Sequence, residues 1–438
     1  MLADNHRDRS IHLAAISSLL SKGGTFLLQI VALPVAIRVL GPERFGIYAA
    51  VSATFVLLNF ADFGIGPSVV RGVAEARASE RFHAARRLFS LALAIVAGMV
   101  FFGAAGLLTV VHTIPVGVWL GASFEPYSTE IRHAADCGVL LIGVQMVAAV
   151  VGRAQAGCQE MHVANLCGAA GNALGAGAVM FCAATGNVTV VTLVLAVIGS
   201  AMLGSILNAI IFLARHPELS PSWFGLRGGG LRLLAMDSGG FGIAAVLVPF
   251  VQREGAKFIV ARWAGPAEVG RLALVQQVAM YVAGLLIIYT GPLMPAVADA
   301  AGRHDTAWLE RAYRRARLLW LAVAGASVGV AVTMGPAMLR AWVGPRFLFS
   351  RLELGCFFGS FALVLWAYIN YVFLGAFGEV WQAARVLLVE MAGALLLGTL
   401  LLLHFGFAGF FAGVGLLAIS MSAWLLPRAV RLHIAALS

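Results

Sequence analysis

Charge is what this chain has least of. Only 11% of its 438 residues are Asp, Glu, Lys or Arg, where a soluble domain carries about 25%. So little charge cannot cover a water-facing surface, and a soluble globular protein is excluded. Cysteine is sparse as well. Cys137, Cys158, Cys167, Cys182 and Cys356 lie in or beside apolar runs, without metal-ligand spacing, and read as small packing residues. There is no G-x-x-x-x-G-K-[ST] loop and no His-Glu-x-x-His motif, so neither signature of ATP hydrolysis or zinc-protease chemistry is present. No metal, no cofactor and no enzymatic activity are expected. No hydrophilic interruption is long enough to fold as a separate domain.

What is present is apolar length. Hydrophobic residues make up 61% of the chain, and mean hydropathy is +0.92. Continuous runs such as 88–111 and 193–213 match the roughly 20 residues a helix needs to cross about 30 Å of hydrocarbon. They lack the short alternation of barrel strands, and in lipid only helices or closed barrels satisfy their own backbone. The expectation is an all-α integral membrane protein with about twelve transmembrane helices. They cover roughly 12–37, 46–70, 87–112, 134–153, 161–183, 189–214, 235–261, 268–294, 316–338, 353–375, 382–403 and 407–427. The first span follows a polar start and is interrupted by Lys22, Gly23, Gly24 and Gln29. It therefore reads as a retained helix rather than a cleaved leader.

The net charge of +10 is explained by loop arginines, not by nucleic acid. With a cytoplasmic N-terminus, 19 of the 30 Lys and Arg residues fall on the cytoplasmic side, 8 outside and 3 within helices. That bias places both termini in the cytoplasm.

The chain also repeats itself. Arg38-Val-Leu-Gly41-Pro42-Glu43-Arg44-Phe-Gly46 matches Arg262-Trp-Ala-Gly265-Pro266-Ala-Glu268-Val-Gly270 at a shift of 224, as Val73-Ala74-Glu75-Ala76 matches Val297-Ala298-Asp299-Ala300. A weaker match pairs the Glu160 turn with the Glu379 turn at a shift of 219. Two six-helix lobes follow, 1–214 and 233–438, joined by an interfacial cytoplasmic linker, 215–232. An even helix number makes the repeat parallel, an arrangement that suits transporters rocking one half against the other. Pro34, Pro67, Pro249, Pro292 and Pro295 fall in or at the ends of spans 1, 2, 7 and 8, where bends are expected.

Several of these segments resemble a known family. Ser18-Leu-Leu-Ser-Lys22, Arg38-Val-Leu-Gly-Pro-Glu-Arg-Phe-Gly-Ile-Tyr48, Leu58-Asn-Phe-Ala-Asp62-Phe-Gly-Ile-Gly66, Gln155-Ala-Gly-Cys-Gln and Leu339-Arg-Ala-Trp-Val-Gly-Pro-Arg-Phe347 are similar to the polysaccharide flippases. These include the Wzx-type lipid-linked oligosaccharide transporters of the multidrug/oligosaccharidyl-lipid/polysaccharide exporter superfamily. The resemblance implies two six-helix lobes in a V around a central cavity. It also implies the activity: moving an undecaprenyl-pyrophosphate-linked glycan, such as an O-antigen, capsule or exopolysaccharide unit, across the bacterial inner membrane by alternating access. The implied partners are that lipid-linked glycan, membrane lipids, and a polysaccharide polymerase with other assembly proteins. The rival readings are a drug/cation antiporter or the lipid II flippase of the same superfamily, or a non-transporting scaffold in a glycan assembly complex.

The candidate site residues are the polar groups inside spans. Gln252-Arg253-Glu254-Gly255-Ala256-Lys257 places charges in the seventh span, at about 2.5–3.5 kcal/mol each at a helix centre. Arg253 and Lys257, four apart, share a helix face, and Glu254 neutralises only part of their charge. The excess would favour a pyrophosphate or an acidic sugar. The alternative is a structural Arg–Glu–Lys cluster. Lys22 and Gln29 in the first span come next, since Gln29 is the repeat equivalent of Arg253. Asn59, with Asn172, Gln276 and Asn370, is a candidate for sugar hydroxyls or for helix–helix hydrogen bonds. Asp62, Glu254 and Glu390 are the ion-coupling candidates, for a proton or a sodium ion.

Overall fold

The computed structural model describes residues 23, 25–26, 28–56, 58, 65–221 and 251–437. Among them secondary structure is entirely helical. The chain divides into two compact units, Met1–Ile243 and Ala244–Ser438, and their junction falls in the undescribed stretch 222–250.

The first unit contains α1 (Leu33–Val56), α2 (Ile65–Ala78), α3 (Phe82–Thr113), α4 (Ser128–Gly157), α5 (Met161–Ala184) and α6 (Ser200–Arg215). The second contains α7 (Ala256–Ala264), α8 (Pro266–Gly302), α9 (Thr306–Thr333), α10 (Arg351–Ala376), α11 (Val380–Ser420) and α12 (Ser422–Ala436). Seven continuous stretches of the described residues are long and apolar enough to cross a membrane. The longest, Val380–Ala436, holds two crossings, because the chain reverses at Gly406. Spans 1, 2 and 7 each include residues outside the described set. Large apolar side chains such as Phe101, Phe102, Leu396 and Phe405 point outward, as a lipid-facing surface requires.

The duplication is written in the backbone more fully than in the side chains. Ten described residues have a left-handed φ, and they form five pairs. Gly41 (76°) answers Gly265 (87°), and Glu80 (56°) answers His304 (57°), both 224 residues apart. Gly121 (110°) answers Gly344 (98°) at 223, Gln159 (62°) answers Gly378 (86°) at 219, and Gly186 (71°) answers Gly406 (62°) at 220. Each pair marks the same reversal between successive helices. At Gly41 and Gly265 the next residue is a proline, which stands at the first position of the following helix with no N–H to waste.

Small residues set the closest helix contacts. A Cβ on Gly171 of α5 would lie 2.8 Å from the Ser200 carbonyl of α6, and one on Gly204 of α6 would lie 2.8 Å from the Cys167 carbonyl of α5. In α11 the two arms of the Gly406 reversal meet at Gly398 and Gly413, where a Cβ on Gly413 would fall 2.9 Å from the Gly398 Cα. In the second unit, the Tyr313 hydroxyl of α9 donates to Asn370 Oδ1 of α10 at 2.7 Å, and Asn370 Nδ2 donates to the Trp366 carbonyl at 2.8 Å. Asn370, a sugar-contact candidate in the sequence, is thus committed to helix packing.

The prolines act unequally. The turn Leu28–Ala32, just ahead of Pro34, is a π-helix, as expected where proline removes a bond of the i→i−4 ladder. By contrast, α8 runs without interruption through Pro292 and Pro295.

Candidate functional site

The described part of the second unit begins with another π-helical turn, Val251–Gly255. It lies within one residue of the repeat equivalent of Leu28–Ala32. A π-turn widens the helix and leaves a carbonyl without its usual partner, and such turns concentrate at functional sites. In this turn the Arg253 carbonyl accepts a hydrogen bond from Gln276 Nε2 of α8 at 2.9 Å.

The side chains of this turn form an asymmetric triad. Glu254 Oε2 accepts from Lys257 Nζ at 2.6 Å, and Glu254 Oε1 lies 3.2 Å from Arg253 Nε. The Glu254 and Lys257 side chains are only 4% and 8% exposed, whereas that of Arg253 is 45% exposed. The two cations that share a face in the sequence are therefore not presented alike. Lys257 is buried against Glu254 and neutralised by it, which realises the structural alternative for that residue. Arg253 carries the uncompensated charge of the triad and keeps part of its guanidinium open. Glu254 is gripped by both cations, one on each carboxylate oxygen.

In the first unit, Gln29 sits half-buried in the Leu28–Ala32 turn, which packs among Ala32, Ala36, Val179 and Leu193. Beside it, Asn172 Nδ2 donates to Thr25 Oγ1 at 2.6 Å. Gln252 is described only through its backbone, within the Val251–Gly255 turn. Lys22, Asn59 and Asp62 lie outside the described residues.

Glu390 acquires a specific setting. It is buried on α11 and accepts the Ser422 backbone N–H at 2.8 Å. That N–H is free because the last crossing breaks at Met421 (φ −123°, ψ −84°). No cation pairs with Glu390 among the described residues.

Sequence reasoning missed two other polar clusters. At the end of α6, His216 lies between Glu160 (Nε2–Oε1 3.1 Å) and Glu218 (Nδ1–Oε1 3.0 Å). The second unit repeats the theme, with His433 Nε2 3.5 Å from Glu379. The Glu160/Glu379 match was the only signal of this pair. Burial pushes the Glu218 carboxyl up, but its backbone amide, His216 and Arg77 outweigh that and hold it below the ordinary carboxylate range. At the opposite end of the second unit, Arg271 bridges Glu268 (2.8 Å) and Glu353 (2.7 Å) beneath the rings of Phe349 and Phe407. Glu353 is itself half of a capping box with Ser350.

A family model described as "Polysaccharide biosynthesis protein" matches residues 14–300. No curated protein matches the chain in sequence. Among solved structures, an inward-facing multidrug resistance MATE family transporter of the MOP superfamily aligns with TM-score 0.74 at 15% identity, over 96% of this chain and 98% of that one. A MOP superfamily transporter from Pyrococcus furiosus, described by the reversed polarity of its binding pocket, aligns with TM-score 0.67 at 15% identity, over 98% and 96%. A MATE in its bent conformation aligns with TM-score 0.60 at 17% identity, over 98% and 97%. The fold is that of these transporters.

Proposed function

Because the chain belongs to the polysaccharide biosynthesis protein family, we propose that this multi-pass membrane transporter is a lipid-linked oligosaccharide flippase. It moves an undecaprenyl-pyrophosphate-linked glycan to the outer leaflet of a bacterial inner membrane by alternating access, with both termini in the cytoplasm. The observation that carries this reading is the Arg253–Glu254–Lys257 triad. One cation is neutralised inside the helix, and the other keeps an exposed guanidinium beside a π-turn. A guanidinium grips phosphate through a planar fork, and a net positive charge at that depth favours an anionic headgroup over a cationic drug.

Glu390 supplies the coupling step in this reading. Protonation would remove the charge that holds the Ser422 N–H and loosen the break at Met421. The same residue supports the second reading, a cation antiporter, since a buried acid suits a cation as well.

Reconstitution into liposomes carrying a fluorescent lipid-linked glycan separates the two. Wild type should flip the glycan, and Arg253→Gln should lose most of that activity at unchanged membrane insertion. Full flipping by Arg253→Gln would overturn the role of the triad. Wild-type transport of an organic cation without glycan flipping would establish the second reading instead.

A further inference from the structure

The two units differ at one end in a way that transport does not use. In the first unit, the start of α3 is occupied. Arg86 Nε donates to the Ser220 carbonyl at 2.6 Å, and Ser90 and Leu91 are buried. At the same 224-residue shift, α9 carries Arg314 and Arg315 where α3 has Ser90 and Leu91, and Arg317 where α3 has Leu93. All three arginines are exposed.

The neighbouring helix adds to them. The Leu437 carbonyl lies 3.3 Å from His304 Nδ1, so the end of α12 adjoins the beginning of α9. Arg317 of α9 and Arg431 of α12 both lie within electrostatic reach of the buried Tyr313. Arg428 and Arg431 are exposed on α12 beside Trp424, Leu425 and Leu432, whose side chains also face outward. Among the described residues none of these five arginines has a carboxylate partner, and Arg431 spends only its Nε, on the Pro427 carbonyl. The acids nearest in sequence are Asp305, which caps α9 at the Trp308 amide, and the exposed Glu310. On α12 the one other titratable group, His433, faces Glu379.

We infer that this corner of the second unit, with Arg314, Arg315 and Arg317 on α9 and Arg428 and Arg431 on α12, is a binding site for an anionic phospholipid. Arginines presented by two adjoining helices match the anionic phosphodiester of a lipid headgroup. The outward Leu318, Trp424 and Leu432 match its acyl chains and glycerol backbone. An acidic protein surface would satisfy the arginines but not the apolar side chains interleaved with them. The first unit, with buried Ser90 and Leu91 in these places, cannot form the site.

Native mass spectrometry of the full-length protein, exchanged into an equimolar mixture of phosphatidylglycerol and phosphatidylcholine, tests this. Wild type should retain phosphatidylglycerol preferentially. At roughly fivefold per arginine, Arg317→Gln with Arg431→Gln should reduce that preference about 25-fold. The charge-preserving pair Arg317→Lys with Arg431→Lys should keep most of it, which separates lost charge from lost folding. Arg81→Gln, in the first unit, should leave it unchanged. Equal retention of the two lipids by wild type, or an undiminished preference in the glutamine pair, would overturn the site. Glycan flipping is not the readout, so failure here leaves the transport reading standing.

Discussion

Removing the carboxylate of Glu254 should damage the protein more than removing the ammonium it holds. Lys257 and Glu254 are 2.6 Å apart with side chains 8% and 4% exposed, so neither can be rescued by water. Glu254→Gln leaves Lys257 as a buried cation without a counterion, and breaking a buried pair from one side costs about 3–5 kcal/mol. Lys257→Met costs less, because Arg253 still approaches the other Glu254 oxygen at 3.2 Å. The double variant removes both buried charges and so leaves neither without a counterion. Melting curves of detergent-purified protein, followed by tryptophan fluorescence, should therefore rank Glu254→Gln lowest and Lys257→Met between it and wild type. The double variant should recover to near wild type, giving a coupling energy of at least about 3–5 kcal/mol in the cycle. If the double variant instead melted at the sum of the two single losses, the two groups would be energetically independent and the triad argument would fail.

Gly204→Leu should force α5 and α6 apart at Cys167 and Gly171, costing about 1–3 kcal/mol, and the drop in melting temperature should exceed that of the same change at Gly106, where nothing lies within 4 Å of a new Cβ. Arg271→Gln should strand Glu353 and the two aromatic rings it underlies, at about 2–3 kcal/mol, with Arg271→Lys intermediate because it keeps charge but loses the fork to Glu268; both are read by thermal melting. Glu218 titrates below its ordinary value in the folded chain, so its contribution to stability is complete above pH about 4.5 and fades as pH falls through the lower folded value. The melting difference between wild type and Glu218→Gln should thus hold at neutral pH and shrink in acid, and a difference that grew on acidification would contradict the assigned direction.

The membrane architecture was legible because apolar length is a coarse signal that survives divergence. The repeat was most legible at Gly41-Pro42 and Gly265-Pro266, with weaker traces at 73–76 against 297–300 and at the Glu160 and Glu379 turns. The pair Glu80/His304 was invisible, since a left-handed φ at Glu or His leaves no trace in residue type. The drift of offset through 223 and 220 also hides the reversals at Gly121/Gly344 and Gly186/Gly406 from a comparison at 224. At the site, the sequence marked residues 253–257 correctly as charged helix but treated the helix as regular. Four-residue spacing put Arg253 and Lys257 side by side. The π-turn and the three-residue link from Glu254 to Lys257 gave them opposite surroundings. Glu390 looked like a lone acid because the interruption that gives it a partner, at Met421, carries neither glycine nor proline.

That interruption makes the last crossing two rods with a joint between them. Ser422–Ala436 packs on the core of its unit through Leu426, Val430 and Ile434, and its fifteen residues amount to roughly 22 Å of lever at the helical rise. A tilt of ten degrees at the joint would carry the far end sideways by about 4 Å, close to the width of a side chain. Whatever alters the hold of Glu390 on its one amide is thereby magnified at the tip.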